Sequence, residues 1–291
     1  MNPLKIALVI RNREYLMNRN ERSIGLFSYA VPEFEWAHFR LGKFAPLKRE
    51  EFEDFDVIVI EDGAHVNVEG HGPPVVGIFW DTNSDESHFA HRLVQASQCD
   101  LVFIGQDPLE RFVACRKPVK RLTYCVNDRQ FRDYGEEKTV DVGFHMSQFP
   151  NRPRTEALAQ LKAWAVANHG VILSARKIML LNEYVRAFNR AKVSINVSQM
   201  PENRPHRLFD AMACRSCVAS TPQPFVEEEH SPVAGEHYLL LDPEQIGETL
   251  SPVFENGAWQ SMTEVGYEFI REHHTWEKRA PELRQLMETA L

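Results

Sequence analysis

The chain has 291 residues, 43% of them hydrophobic and 25% charged, with a formal charge of −8 at pH 7. That length fits two domains of about 130 residues better than one very large core, and the balance is that of an ordinary globular protein. No apolar run approaches the roughly 20 residues that cross a bilayer, so a membrane-spanning role is excluded from the reading.

The start, Met-Asn-Pro-Leu-Lys followed at once by an apolar strand, lacks the layout of a signal peptide. Five scattered cysteines (Cys99, Cys115, Cys125, Cys214, Cys217) point to free thiols in a reducing compartment, and a cytoplasmic location is expected. Charge is uneven along the chain. Residues 1–49 hold nine Lys or Arg against four Glu, a balance of +5, which leaves −13 for the remainder. This reads as a solvated surface or as a basic patch for an anionic partner.

Strand patterns occur at 5–10, 35–41, 56–60, 75–80, 101–104 and 120–125, several as continuous Val/Ile/Leu runs of the kind found in parallel strands covered on both faces. Helical patterns at 21–30, 86–97 and 108–116 separate some of them. A polar, charged stretch at 127–138 breaks the alternation and reads as a linker. A second series follows: strand 139–144, helix 155–168, strand 171–174, helix 180–190, strand 193–198, a helix opened by Pro205, and strands 216–220 and 238–241. Helices at 243–254, 259–273 and 276–291 end the chain. Strand–helix alternation twice over predicts two doubly wound α/β domains, with ligands at the carboxyl ends of the strands.

The segment from Glu202 to Pro222 carries the most chemistry. Pro205 suits a first helical turn, whose N–H groups lack intrahelical partners. Those groups and the helix dipole attract an anion, and Arg204, His206 and Arg207 add positive charge beside them. Asp210 follows one turn on. Cations for phosphate and a carboxylate for sugar hydroxyls together describe a nucleotide-sugar site.

The order of motifs resembles the CgeB-like spore-protein glycosyltransferases, a branch of the GT-B glycosyltransferases. The matching pieces are Ile78-Phe-Trp-Asp81, Cys99-Asp-Leu-Val-Phe103, Val140-Asp-Val-Gly-Phe144, Asn182-Glu-Tyr184, Ala191-Lys-Val-Ser-Ile-Asn196, Arg207-Leu-Phe-Asp-Ala-Met-Ala-Cys214, Gly235-Glu-His-Tyr238 and His274-Thr-Trp-Glu-Lys-Arg279. They run in the right order from about residue 75 to the end, the Arg207–Cys214 piece being the most specific. The resemblance implies a GT-B fold of two Rossmann-like domains facing across a cleft: an acceptor-side domain at 1–134, a nucleotide-sugar domain at 135–272, and a helix at 273–291 that packs back on the first.

It also implies roles. Asp210 takes the position of the acid that holds the ribose hydroxyls, and Glu202 that of the acid approaching the donor sugar. Family members usually carry Glu at the first of these positions, and Gly where Arg215 stands, which puts the local backbone turn in question. Arg207, with Arg176 and Lys177 after the strand at 171–174, would hold the pyrophosphate; the latter two read equally well as a solvated turn. Asn182 and Tyr184 would lie near the nucleobase, although Tyr184 could be core. Asp81 would touch acceptor or donor sugar, or simply cap a helix. The activity the resemblance implies is metal-independent and retaining, without a resident cofactor, using a UDP-sugar as co-substrate.

Competing readings fare worse. Cys214-x-x-Cys217 has no second pair, and packing at a helix–strand junction explains it better than zinc or redox chemistry. No Gly-x-Ser-x-Gly elbow, phosphate loop, Gly-rich dinucleotide loop or His-Glu-x-x-His pattern is present. A catalytically inactive sugar-nucleotide or glycan-binding protein of the same fold is the alternative, motivated by Asp210 and Arg215. Arg11 and Arg13, in the loop after the first strand, mark an anionic acceptor: an acidic glycan or small molecule, or DNA bearing hydroxylated bases. The overall charge of −8 weighs against DNA.

Overall fold

The computed structural model describes residues 2–10, 31–41, 45–61, 66–79, 86–105, 108–145, 152–174, 181–198, 206–224 and 230–291. The chain divides into two compact units, Met1–Tyr124 with Trp276–Leu291, and Cys125–Thr275.

The first unit is built on strands β1 (Leu4–Ile10), β2 (Phe34–Arg40), β4 (Val57–Glu61), β6 (Val75–Phe79), β7 (Leu101–Ile104) and β8 (Val119–Arg121). They form one sheet in the order β2-β1-β4-β6-β7-β8, parallel throughout. The Val/Ile runs are enclosed as expected for strands covered on both faces; β6 is buried at every position. Helix α1 (Glu86–Ala96) and a 3-10 helix at Leu109–Cys115 pack beside it. The second of these falls on the helical pattern at 108–116; Arg116 in the left-handed region (φ 55°) ends it after two tight turns. Two short strands absent from the sequence reading, β3 (Leu47–Lys48) and β5 (Val68–Glu69), pair with each other. The predicted helix at 21–30 lies outside the described residues.

The last helix of the chain, α7 (Trp276–Ala290), belongs to this unit. Trp276 stacks on Phe34 with ring centroids 5.9 Å apart, and Arg284 donates to the Asn2 carbonyl at 2.8 Å.

The second unit contains β9 (Val140–Phe144), α2 (Arg152–Asn168), β10 (Ile172–Ser174), α3 (Leu181–Arg190), β11 (Ala191–Asn196), α4 (Arg207–Ala213), β12 (Cys217–Ser220), β13 (Leu239–Leu240), α5 (Ile246–Glu255) and α6 (Ala258–His273). The sheet order is β10-β9-β11-β12-β13, again all parallel. Strand order reverses between β9 and β11, which makes their carboxyl ends the switch point where such sheets bind ligands.

The two faces of this sheet differ in chemistry. Val142, Phe144, Val193, Ile195, Cys217 and Ala219 face α2 and α5 and form an apolar core with Leu161, Trp164 and Leu250. The alternate positions are Gly143, Ser194, Asn196, Ser216 and Ser220, small or polar, with Val218 the apolar exception, and α3 and α4 pack on these strands. Ser194, Asn196, Ser216 and Ser220 are all buried.

The division between units falls at 124/125, ten residues earlier than the 134/135 boundary expected from the sequence, and the last helix leaves at 276 rather than 273. Hydrogen bonding explains the shift. Val126 N–H donates to the His274 carbonyl at 2.6 Å, and Asn189 Nδ2 donates to the Arg132 carbonyl at 3.0 Å while its Oδ1 accepts from Tyr134 N–H at 2.7 Å. The polar stretch at 127–138 is therefore strapped to the second unit.

Candidate functional site

The carboxyl ends of β9, β11 and β12, with α3 and α4, bring together the described part of the site. Helix α4 starts at Arg207, with His206 as its cap residue in helical conformation. Both are half-buried. Pro205, which was expected to open this helix, lies outside the described residues, as do Glu202, Asp81, Arg176, Lys177, Arg11 and Arg13.

Asp210 occupies the first turn of α4 and is 0% exposed. Burial drives the thiol of Cys214, one turn on, well above its ordinary range, and the Asp210 charge adds to that rise. Cys99 and Cys217 are likewise pushed up to about 12 by burial. All five cysteines are buried and without disulfides, so they act as small core residues. Among the described residues no cluster of three or more His, Cys, Asp or Glu could hold a metal ion.

On α3, Asn182 is exposed in the first turn. Tyr184 is 3% exposed, its ring 4.5 Å from Phe188 and 6.2 Å from Phe131. The core alternative for Tyr184 is thus the one its packing favours.

Arg215 resolves the question raised by the missing glycine. It adopts φ 55°, the left-handed conformation that glycine prefers after a helix. The turn is a complete Schellman motif: Arg215 N–H donates to the Met212 carbonyl at 2.9 Å and Ser216 N–H to the Ala211 carbonyl at 3.0 Å. The backbone turn is kept with a side chain the position would ordinarily exclude.

Several residues at this edge escaped the sequence reading. His145 directly follows β9 and is 5% exposed. Its ring lies over Gly143, where an added Cβ would stand 2.5 Å from Nε2, and 5.3 Å from the Phe188 ring. Burial lowers its pKa to about 4; the Ala187 backbone opposes the shift and the Arg207 charge assists it, so the imidazole is neutral at pH 7. Arg154, also buried, donates from Nε to the Val197 carbonyl at 3.1 Å, joining the start of α2 to the end of β11.

Asn196, Ser220 and Gln223 form a buried polar group at the ends of β11 and β12. A signal for it existed in the segment Val193-Ser-Ile-Asn-Val-Ser198, whose strict alternation normally marks a strand with one wet face. Here both faces are buried, and the polar one faces the helices that carry the candidate site residues.

Comparison with known proteins fits this geometry. Residues 152–285, just under half of the chain, match a family model described as glycosyl transferase-like. That match does not reach the spore-protein branch. No curated protein sequence matches the chain. Among solved structures, sucrose-phosphate synthase from Thermosynechococcus elongatus superposes with TM-score 0.60 at 12% identity, covering 98% of each chain. HepE of Anabaena, in complex with UDP and glucose, superposes with TM-score 0.66 at 10% identity, covering 98% of this chain and 100% of that one. TarM gives 0.56 at 9% identity over 80% of this chain and 54% of its own. The fold is that of the GT-B glycosyltransferases.

Proposed function

We propose that the chain is a glycosyltransferase that moves a sugar from a nucleoside-diphosphate sugar, with UDP as the nucleotide, to an acceptor hydroxyl. The observation that carries this reading is the position of Arg207. It opens the helix that follows β11, beside a sheet switch point, in a fold whose solved relatives include one holding UDP and glucose. The family-model match across the same region supports it.

In this reading the bond from the sugar's anomeric carbon to the diphosphate oxygen breaks, and a bond to the acceptor oxygen forms as that hydroxyl gives up its proton. Charge accumulates on the departing diphosphate. Arg207, with Arg176 and Lys177, would stabilise that charge, and preorganised cations in a water-poor site are the largest source of such stabilisation. Asp210 would hold the ribose, Asn182 the base edge, and Glu202 and Asp81 the reacting sugar and acceptor. Retention of configuration and metal independence belong to this proposal, as does an anionic acceptor recognised by Arg11 and Arg13.

Release of UDP from UDP-glucose, UDP-galactose and UDP-N-acetylglucosamine, with and without acidic glycans or hydroxymethylated DNA, tests the reading. Acceptor-dependent release supports it. UDP binding without release under any acceptor would favour the inactive sugar-nucleotide-binding alternative, and absence of nucleotide binding would reject both.

A further inference from the structure

The ends of β11 and β12 carry a hydrogen-bond network with two acceptors left over. Asn196, the last residue of β11, is 1% exposed, and Ser220, the last of β12, is 0% exposed. Asn196 Nδ2 donates to Ser220 Oγ at 2.8 Å, and Gln223 Nε2 donates to the same oxygen at 2.8 Å. Ser220 Oγ donates in turn to the Thr221 carbonyl at 3.0 Å, so both lone pairs and the proton of this hydroxyl are used. Gln223 Nε2 also donates to the Thr221 carbonyl at 2.9 Å. Asn196 Oδ1 and Gln223 Oε1 remain, both enclosed and both without a hydrogen-bond partner among the described residues.

Two enclosed acceptors are costly unless something donates to them. Their place is at strand ends on the ligand side of a doubly wound sheet, on the face where α4 packs. Their chemistry selects the donor. Phosphate oxygens only accept at neutral pH and would be repelled by amide carbonyls. A sugar presents a row of O–H donors, which is what two neutral acceptors require.

We infer that Asn196 and Gln223 form a sugar-reading element of the donor site, their carbonyl oxygens accepting hydrogen bonds from hydroxyls of the transferred sugar. This rests on the donor-site reading proposed above and adds to it the two residues that distinguish one sugar from another. Ser220 acts as a positioning residue, since its single hydroxyl accepts from both amide nitrogens and so fixes both side chains. Because both acceptors are buried, a sugar lacking the matching hydroxyl leaves them unpaired, and a site of that kind rejects such analogues strongly.

Calorimetric titration of the full chain with UDP and with UDP-glucose, UDP-galactose and UDP-N-acetylglucosamine tests this. Wild type is compared with Asn196→Ala and Gln223→Leu. The sugar nucleotide that wild type binds best loses tenfold or more in each variant, while UDP changes by less than twofold. Equal losses for UDP and the sugar nucleotide, or no loss for either, overturn the inference and leave the network a structural one. If wild type binds neither UDP nor any of the three sugar nucleotides, the donor-site reading itself falls, and this element with it. Should Asn196→Ala fail to fold, Gln223→Leu decides the outcome, because it alters a loop side chain outside the strands.

Discussion

Arg215 reaches Asp133 across 82 positions of sequence, its Nη1 donating to Oδ2 at 3.0 Å, while its Nε donates to Glu264 at 3.0 Å. The guanidinium also lies 5.1 Å from the centre of the Tyr267 ring. Burial pushes the Asp133 carboxyl up, but the Gly135 N–H and Arg215 more than offset it and hold the group below its ordinary range. One residue in a left-handed turn thus joins the former linker region, the end of α4 and α6.

This arrangement sets two effects against each other. A non-glycine residue in the left-handed region costs about 1 kcal/mol, and a half-exposed ion pair contributes about 0.2–1 kcal/mol. Arg215→Gly relieves the first and loses the second, so its stability should stay within about 1 kcal/mol of wild type. Arg215→Leu keeps the strain and loses the pairs, and should melt below the glycine variant. A leucine variant as stable as the glycine one would show that the strain is absent.

Helix α4 is held against α6 by a close approach at Gly266. A Cβ there would stand 2.8 Å from the His237 carbonyl oxygen and 3.4 Å from Met212 Cγ. Alanine gains about 1 kcal/mol in helix propensity, but overpacking against backbone costs about 1–3 kcal/mol. Gly266→Ala should therefore destabilise the chain, lowering the melting temperature by about 2–4 °C per kcal/mol of net loss. An unchanged or higher melting temperature would contradict the packing described.

His145 gives the second unit a defined acid response. Its folded pKa of about 4 lies below the ordinary 6.5, so between these values the unfolded chain binds the proton and the folded one does not. Stability is then fully present near neutral pH and falls as the pH drops through this window, by on the order of 2 kcal/mol at pH 5. In His145→Phe the loss between pH 7.5 and 5 should be smaller by that amount. Urea denaturation at the two pH values measures it, and identical pH slopes in the two proteins would rule the effect out.

The donor-site assignment of α4 is tested by Arg207→Ala and the near-isosteric Asp210→Asn. Charge-assisted hydrogen bonds contribute about 1.5–3 kcal/mol, so UDP affinity should fall about tenfold or more in each. Since Asp210 is fully enclosed, the amide keeps its volume and most of its packing. Two folded variants that bind UDP like wild type would remove these residues from the donor site.

Sequence alone determined the class of fold, because its main signals are local. Apolar runs such as those at 57–60 and 75–79 dictate parallel strands covered on both sides, and every one of the first-unit strand expectations among the described residues corresponds to a strand. The cationic start and acidic first turn of α4 were equally legible, since charge placement on a short segment needs no knowledge of the rest of the chain. Tertiary structure decided what depends on distant partners. The stretch at 127–138 looks like a linker by composition, yet Asn189 and Arg215 bond it into the second unit. Arg215 looks like a lost glycine until Asp133 and Glu264 are placed beside it. The alternation in β11 cannot say whether Ser194 and Asn196 face water or protein; only helix packing on that face turns them into a buried polar network with two acceptors to satisfy.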